Sequence, residues 1–218
     1  MKDIPVFTTE HGAAALSLQQ IPYTGFAHIT IHSTLEMETF LQECVAFCRA
    51  VGAQSILASG HDQLGNFPVY SEILQMQMPL PEDFGEACLF PVMPETADKW
   101  LEIYNRGMKN VPNATILSKQ QCKELIEKGT SYFVHLNGEL MGIGIVDGDT
   151  IQGVVSCQKG EGETVMKALC GAVFTDVVRL EVAENNIPAM RLYRRMGFVA
   201  TGVLKTWYDV TNFIQDVK

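Results

Sequence analysis

The chain has 218 residues, 47% of them hydrophobic and 19% charged, enough apolar content for a proper core and no sign of a disordered composition. Its net charge of −9 and pI near 5.0 argue against the basic surface that nucleic acid demands, so no nucleic-acid partner is expected. Six cysteines occur without a CxxC pair or partner ligands at metal spacing, and no leader-like or membrane-length apolar run is present. The expectation is a cytoplasmic protein with reduced thiols, no metal and no membrane contact.

Residues 1–25 carry weak signals. Ala13-Ala14-Ala15-Leu16 suggests the start of a short helix, and Ile21-Pro22-Tyr23-Thr24-Gly25 a turn. Phe26 to His32 alternates as a strand does, and Ser33-Thr34 follows as a cap. Met37, Phe40, Leu41, Cys44, Phe47, Cys48 and Val51 then recur on one helical face, which Gly52 ends. Gln54 to Ser59 reads as a strand, Phe67 to Ile73 as a weak helix or turn, and Leu74 to Leu80 as a strand.

Pro79, Pro81, Pro91 and Pro94, with Gly85 among them, make 79–94 the candidate linker and divide the chain into 1–84 and 85–218. Cys88 to Val92 opens the second part as a strand. Glu95 to Asn105 is helical through Ala97, Trp100, Leu101 and Tyr104. Ser118 caps a further helix that carries Cys122, Leu125 and Ile126. Tyr132 to Leu136 and Leu140 to Val146 are strands joined by Asn137-Gly138, the strongest hairpin signal in the chain. Asp147-Gly148-Asp149 turns into a third strand, Thr150–Ser156. A glycine-bearing loop, Cys157-Gln158-Lys159-Gly160-Glu161-Gly162-Glu163, precedes a helix from Thr164 to Phe174.

The densest stretch is 179–198. Leu180 and Val182 alternate as in a strand, Glu184-Asn185-Asn186 supplies turn and cap chemistry, and Pro188 sits in a first helical turn. Ala189, Leu192, Tyr193 and Met196 share a helical face, Gly197 fits the left-handed position past its end, and Phe198 begins the last long strand. The order from 88 is a strand, two helices, a three-strand meander, a loop, then α-β-α-β. That predicts an α+β fold, a mixed sheet with helices on both faces. Laid without a gap so that Tyr70 falls on Tyr193, the first half shows a similar element order with almost no shared residues. A partial N-terminal repeat of one β-α-β-α-β unit is the expectation.

Val182, Asn186, Ala189, Leu192-Tyr193 and Gly197-Phe198 form V-x-x-x-N-x-x-A-x-x-L-Y-x-x-x-G-F. In this the chain resembles the Gcn5-related N-acetyltransferase (GNAT) superfamily over roughly residues 88–210, and it looks like a tandem member with a degenerate first half. The resemblance implies an acetyl-CoA-dependent N-acetyltransferase acting on a primary amine of a small molecule or peptide, as a monomer or homodimer. Val154 and Val155 would offer backbone to the pantetheine arm. Gln158, Lys159, Gly160, Gly162, Glu163 and Thr164 would form the diphosphate loop, Asn186 would meet the pantetheine side, and Tyr193 would protonate the coenzyme A thiolate. Read by residue alone, Tyr193 is equally a buried aromatic, Asn186 a helix cap, and Arg194 and Arg195 solvated helix charges. The loop departs from the family's [R/Q]-x-x-G-x-[G/A]: Cys157 holds the first position, and Glu161 and Glu163 place carboxylates near a diphosphate. The alternative is therefore a non-catalytic binding or regulatory module of the same fold. Asp147, Asp149, His135 and Asp209 are base candidates, none singled out.

Overall fold

The computed structural model of the chain describes residues 5–112 and 114–213. Two compact units form. One takes in the chain up to Ile73 and again from Val203; the other is Leu74–Gly202. The division thus lies before the proline-rich stretch rather than inside it at 84/85. Met76 and Met78, which precede the prolines, are buried in the core of the second unit.

The first unit contains β1 (Val6–Thr9), β2 (Gly12–Ser17), a one-turn helix α1 (Ile21–Thr24), β3 (Phe26–Thr34), α2 (Met37–Ala50) and β4 (Ser55–Ser59). β1, β2 and β3 form an antiparallel meander, and β4 pairs with β3 in parallel along Phe26–Thr30 and Ser55–Ser59. Ala13–Leu16 is therefore strand, not helix. Paired between β1 and β3, these residues bury Ala14 and Leu16. On α2 the buried face is Met37, Phe40, Leu41, Cys44, Val45 and Cys48, while Phe47 and Val51 are exposed. The stripe is rotated toward Val45, and burial pushes the Cys44 and Cys48 thiols up to about 12 and about 11.

The weak helix or turn expected over 67–73 is strand from Val69 on. A 3₁₀ turn at Asp62–Asn66 leads into one long strand, β5 (Val69–Pro79). Val69, Tyr70 and Ile73 suit a strand better than a helix. The first half thus runs β-α-β and then a 3₁₀ turn, where the expected β-α-β-α-β unit calls for a second α-helix.

The second unit continues with β6 (Cys88–Pro91), α3 (Ala97–Met108), α4 (Lys119–Glu127), β7 (Ser131–Leu136), β8 (Glu139–Asp147) and β9 (Thr150–Ser156). Then come α5 (Gly162–Cys170), β10 (Val177–Ala183), α6 (Ile187–Met196) and the start of β11 (Val199–Asp209), whose residues from Val203 belong to the first unit. Strands in this unit lie in the order β5-β10-β9-β8-β7-β6. Ser118 caps α4 in a reciprocal box with Gln121. Asn137 and Gly138 both have positive φ, 53° and 82°, as a tight hairpin turn requires. α5 begins two residues earlier than expected and ends at Cys170, which leaves Phe174 beyond it and 92% exposed.

Two cores flank the meander. Val165, Leu169, Val178 and Leu180 belong to the one under α5. Trp100, Ile103, Ile143 and Ile145 belong to the one under α3. β8 feeds both by alternation: its isoleucines face α3, while a Cβ on Gly142 or Gly144 would meet Val165 or Leu169 of α5 at 2.7 and 2.3 Å. Among the described residues no helix is long and apolar enough to cross a membrane.

Candidate functional site

β9 pairs with β8 along its length, from Asp147↔Thr150 to Gly142↔Ser156. On its other side it pairs with β10 only at Arg179↔Thr150 and Leu180↔Ile151. The backbone of residues 153–156, Val154 and Val155 included, thus presents an open edge. The cause is a β-bulge. Ile145↔Gly153 is followed by Val146↔Ile151, so Gln152 is one residue too many, and such an insertion bends and twists the strand that carries it. Val154 packs into the α5 core and Val155 into the α3 core, so what the slot receives from either is backbone.

The loop after β9 starts as a continuation of the ladder, with the Cys157 N–H donating to Met141 O at 2.8 Å. The Ser156 hydroxyl donates to Gln158 O (2.6 Å), and the Gln158 side-chain amide donates to Glu139 Oε2 (3.2 Å). Lys159 is exposed. Gly160 has φ +96°, a conformation that favours glycine, and it turns the chain into α5. Gly162, Glu163 and Thr164 are the first residues of that helix, where backbone N–H groups lack intrahelical carbonyl partners and the dipole favours an anion.

The two acidic residues of the loop are engaged. Glu161 Oε2 accepts from the Thr164 hydroxyl at 2.7 Å. Glu163 lies 3.5 Å from Lys167 Nζ and 3.4 Å from Arg195 Nε. Arg195 is therefore no mere solvated charge; it reaches from α6 to the first turn of α5. Gly162 lets the two helices close up, since a Cβ there would lie 3.0 Å from Leu192 Cδ2.

Tyr193 is half-buried on α6 and packs, with Val154, on the α5 core; its ring centroid is 5.7 Å from that of Phe198. Desolvation pushes its phenol up to about 12. Asn186 caps α6, its Oδ1 accepting from the Ala189 N–H at 3.4 Å. Replacing Asn186 by Ala should lower stability by about 1 kcal/mol, read as a shift in denaturation midpoint. A larger loss of acetyl-CoA affinity than that destabilisation explains would add a ligand contact to its capping role.

Of the base candidates, Asp149 is bound by Arg179 and by the Thr150 hydroxyl. Asp209 accepts from the Thr211 N–H at 2.9 Å. His135 sits between the rings of Phe90 and Phe133, at 5.5 and 6.3 Å. Asp147 is exposed at a hairpin turn. The first two are tied to local structure, and none is aimed at the slot by a contact of its own. Among the described residues no group of three His, Cys, Asp or Glu could hold a metal ion.

No family model and no curated protein matches the chain. Solved structures do. An acetyltransferase of the GNAT family from Colwellia psychrerythraea superposes with a TM-score of 0.52 at 14% identity, covering 94% of this chain and 84% of that one. A GCN5-related N-acetyltransferase from Anabaena variabilis gives a TM-score of 0.63 at 11% identity, over 93% of this chain and 60% of that one. A tandem GNAT protein from the clavulanic acid biosynthesis pathway gives 0.52 at 14%, over 91% and 78%. With the parted strands, the glycine loop and the capped α6 in place, the chain has the fold of the Gcn5-related N-acetyltransferase superfamily.

Proposed function

We propose that the chain is an acetyl-CoA-dependent N-acetyltransferase whose acceptor is a primary amine of a small molecule or peptide. The observation that carries the reading is the open edge of 153–156, where β9 and β10 part. An extended arm bearing amides can add to that edge as a strand would. In this reading the diphosphate meets the N–H groups of Gly162, Glu163 and Thr164 beyond Gln158, Lys159 and Gly160. Tyr193 faces the thiol and, with its phenol at about 12, stays a hydrogen-bond donor at neutral pH. The acceptor amine attacks the thioester carbonyl directly, and its proton leaves to water.

The first half holds no second cofactor in this reading. Its β3 and β4 stay paired over five positions, Phe26–Thr30 with Ser55–Ser59, so no comparable edge opens. Beside the start of α2 lies a cavity of about 480 Å³ whose lining includes Glu36 and Glu38, a poor setting for a diphosphate. This half is a faded copy that completes the fold.

A second reading has its own observation. Glu163 already occupies Lys167 and Arg195, and a module that no longer binds coenzyme A would keep the fold and this internal pairing. Thermal denaturation with acetyl-CoA separates the two. At a hundredfold excess over Kd, binding should raise the melting temperature by roughly 5–10 °C by mass action. No shift at millimolar acetyl-CoA selects the non-catalytic module.

A further inference from the structure

Resting on that reading of the slot, we propose that Tyr104, on the opposite face of β9 from the α5 core, supplies a second hydroxyl that donates a hydrogen bond to the thioester carbonyl oxygen. The placement comes from α3. This helix lies along the segment of β9 that β10 leaves open. Gly107 rides against Val155, where a Cβ would come within 2.4 Å of Val155 Cγ1, and one turn earlier Tyr104 sits over Gly153. A Cβ on Gly153 would lie 3.1 Å from Tyr104 Cε2 and 3.4 Å from its hydroxyl oxygen. Gly153 is also the first ladder residue past the bulge, close to the end where β9 and β10 still pair.

The direction of the slot puts the reacting carbon there. The diphosphate end is fixed by the start of α5, beyond Ser156. From Ser156 back to Gly153 is three strand steps, ~10 Å, so an arm running that way delivers its thioester to the closed end. The residue waiting at that end is 6% exposed, and its ring is stacked on Trp100 with centroids 5.3 Å apart. Its hydroxyl makes no hydrogen bond to any described residue, and desolvation alone pushes it up to about 12, so it remains a donor throughout the working pH range. The hydroxyl is therefore free to donate to an incoming acceptor. A carbonyl oxygen arriving at Gly153 would lie within its reach.

The chemistry follows from the two hydroxyls. As the amine lone pair forms the C–N bond, the carbonyl π pair moves onto oxygen, where Tyr104 donates its hydrogen bond without giving up the proton. The pair then returns, the C–S bond breaks, and the thiolate accepts from Tyr193. The proton lost by the nitrogen goes to solvent, which in turn reprotonates Tyr193 or the sulfur.

Coenzyme A and acetyl-CoA differ by the carbonyl in question, so calorimetric titration of both tests the assignment without knowledge of the acceptor. Tyr104→Phe should weaken acetyl-CoA binding about 3–10-fold, the worth of one hydrogen bond, with coenzyme A affinity within about twofold of wild type. Its melting temperature should not fall, since the ring stays and the hydroxyl has no protein partner to lose. An unchanged ratio of the two affinities overturns the proposal while leaving the acetyltransferase reading intact. Equal weakening of both ligands, or a lower melting temperature, makes Tyr104 a structural residue and overturns it as well. Wild-type protein that binds neither ligand defeats the acetyltransferase reading itself, and this inference with it.

Discussion

Tyr193→Phe should reduce turnover by about 10²-fold while leaving acetyl-CoA affinity within about twofold, because general-acid assistance is felt in the transition state and not in the bound ground state. The substitution keeps the ring against Phe198 and the α5 core, so packing is preserved. Pre-steady-state transfer to a primary amine is the measurement. A parallel loss of affinity and rate would mean that the hydroxyl holds the cofactor or the helix. The elevated phenol sharpens the prediction. Burial raises Tyr193 from 10.0 to about 12, so any alkaline decline in rate below pH 10 must come from another group. The sign for stability follows from the same shift. The folded state disfavours the phenolate, so the contribution of a neutral Tyr193 is full below pH 10 and is lost as pH rises toward 12.

The largest effect on stability is expected at Trp100. It is fully buried, stacks on Tyr104 and donates its indole N–H to Tyr132 O at 3.1 Å. Trp100→Ala should destabilise the protein by about 3–5 kcal/mol from the lost burial and the cavity left behind. The unpaired Tyr132 carbonyl adds to that penalty. Against a whole-protein stability on the order of 5–15 kcal/mol this is a large fraction, and urea denaturation will show it as a lower midpoint. Trp100→Phe keeps most of the packing and loses the hydrogen bond, so it should cost about 1–2 kcal/mol. If the Phe variant is as damaging as the Ala variant, the indole N–H matters more than its volume.

Much of the second unit was legible because its signals are local. Ser118, Asn137-Gly138 and Gly197 each fix a boundary through their own local chemistry, and they do so where expected. The first unit was harder to read. Ala13–Leu16 has too little side chain to declare a period, and its strand is decided by β1 and β3 on either side. Phe67 to Ile73 lacks both a cap and a helical stripe, and pairing extends it into an eleven-residue strand. On α2 the exposed Phe47 and Val51 fit the expected stripe as well as Val45 does; only the packing of β3 and β4 on the helix selects among them.

The slot itself has no sequence mark. Gln152 is an unremarkable polar residue in an alternating strand, and only the register of β8 shows it to be extra. Arg195 and Glu163 are 32 residues apart, so their pairing could not be read from spacing. Tyr104 looked like one more apolar position on a helix face. A usable signal did exist in the alternation of Gly142, Gly144 and Gly153 on two neighbouring strands, which asks for bulky partners on the facing helices.

The bulge at Gln152 also decides parity. Ile151 belongs to the α5 core, and plain alternation would send Gly153 and Val155 to that same side and Val154 to the other. The extra residue swaps odd for even, so Val154 joins Ile151 while Gly153 and Val155 turn to α3. Deleting Gln152 would make Ile151 and Gly153 consecutive, so Gly153 would stay opposite Ile145 and every later side chain would keep its face, but the bulge that bends β9 would be gone. One residue with no chemistry of its own thereby bends β9 without changing which helix its later side chains address. Among homologous chains, a single deletion in β9 that keeps these faces should therefore fall at the bulge, and it should close the open edge along with it.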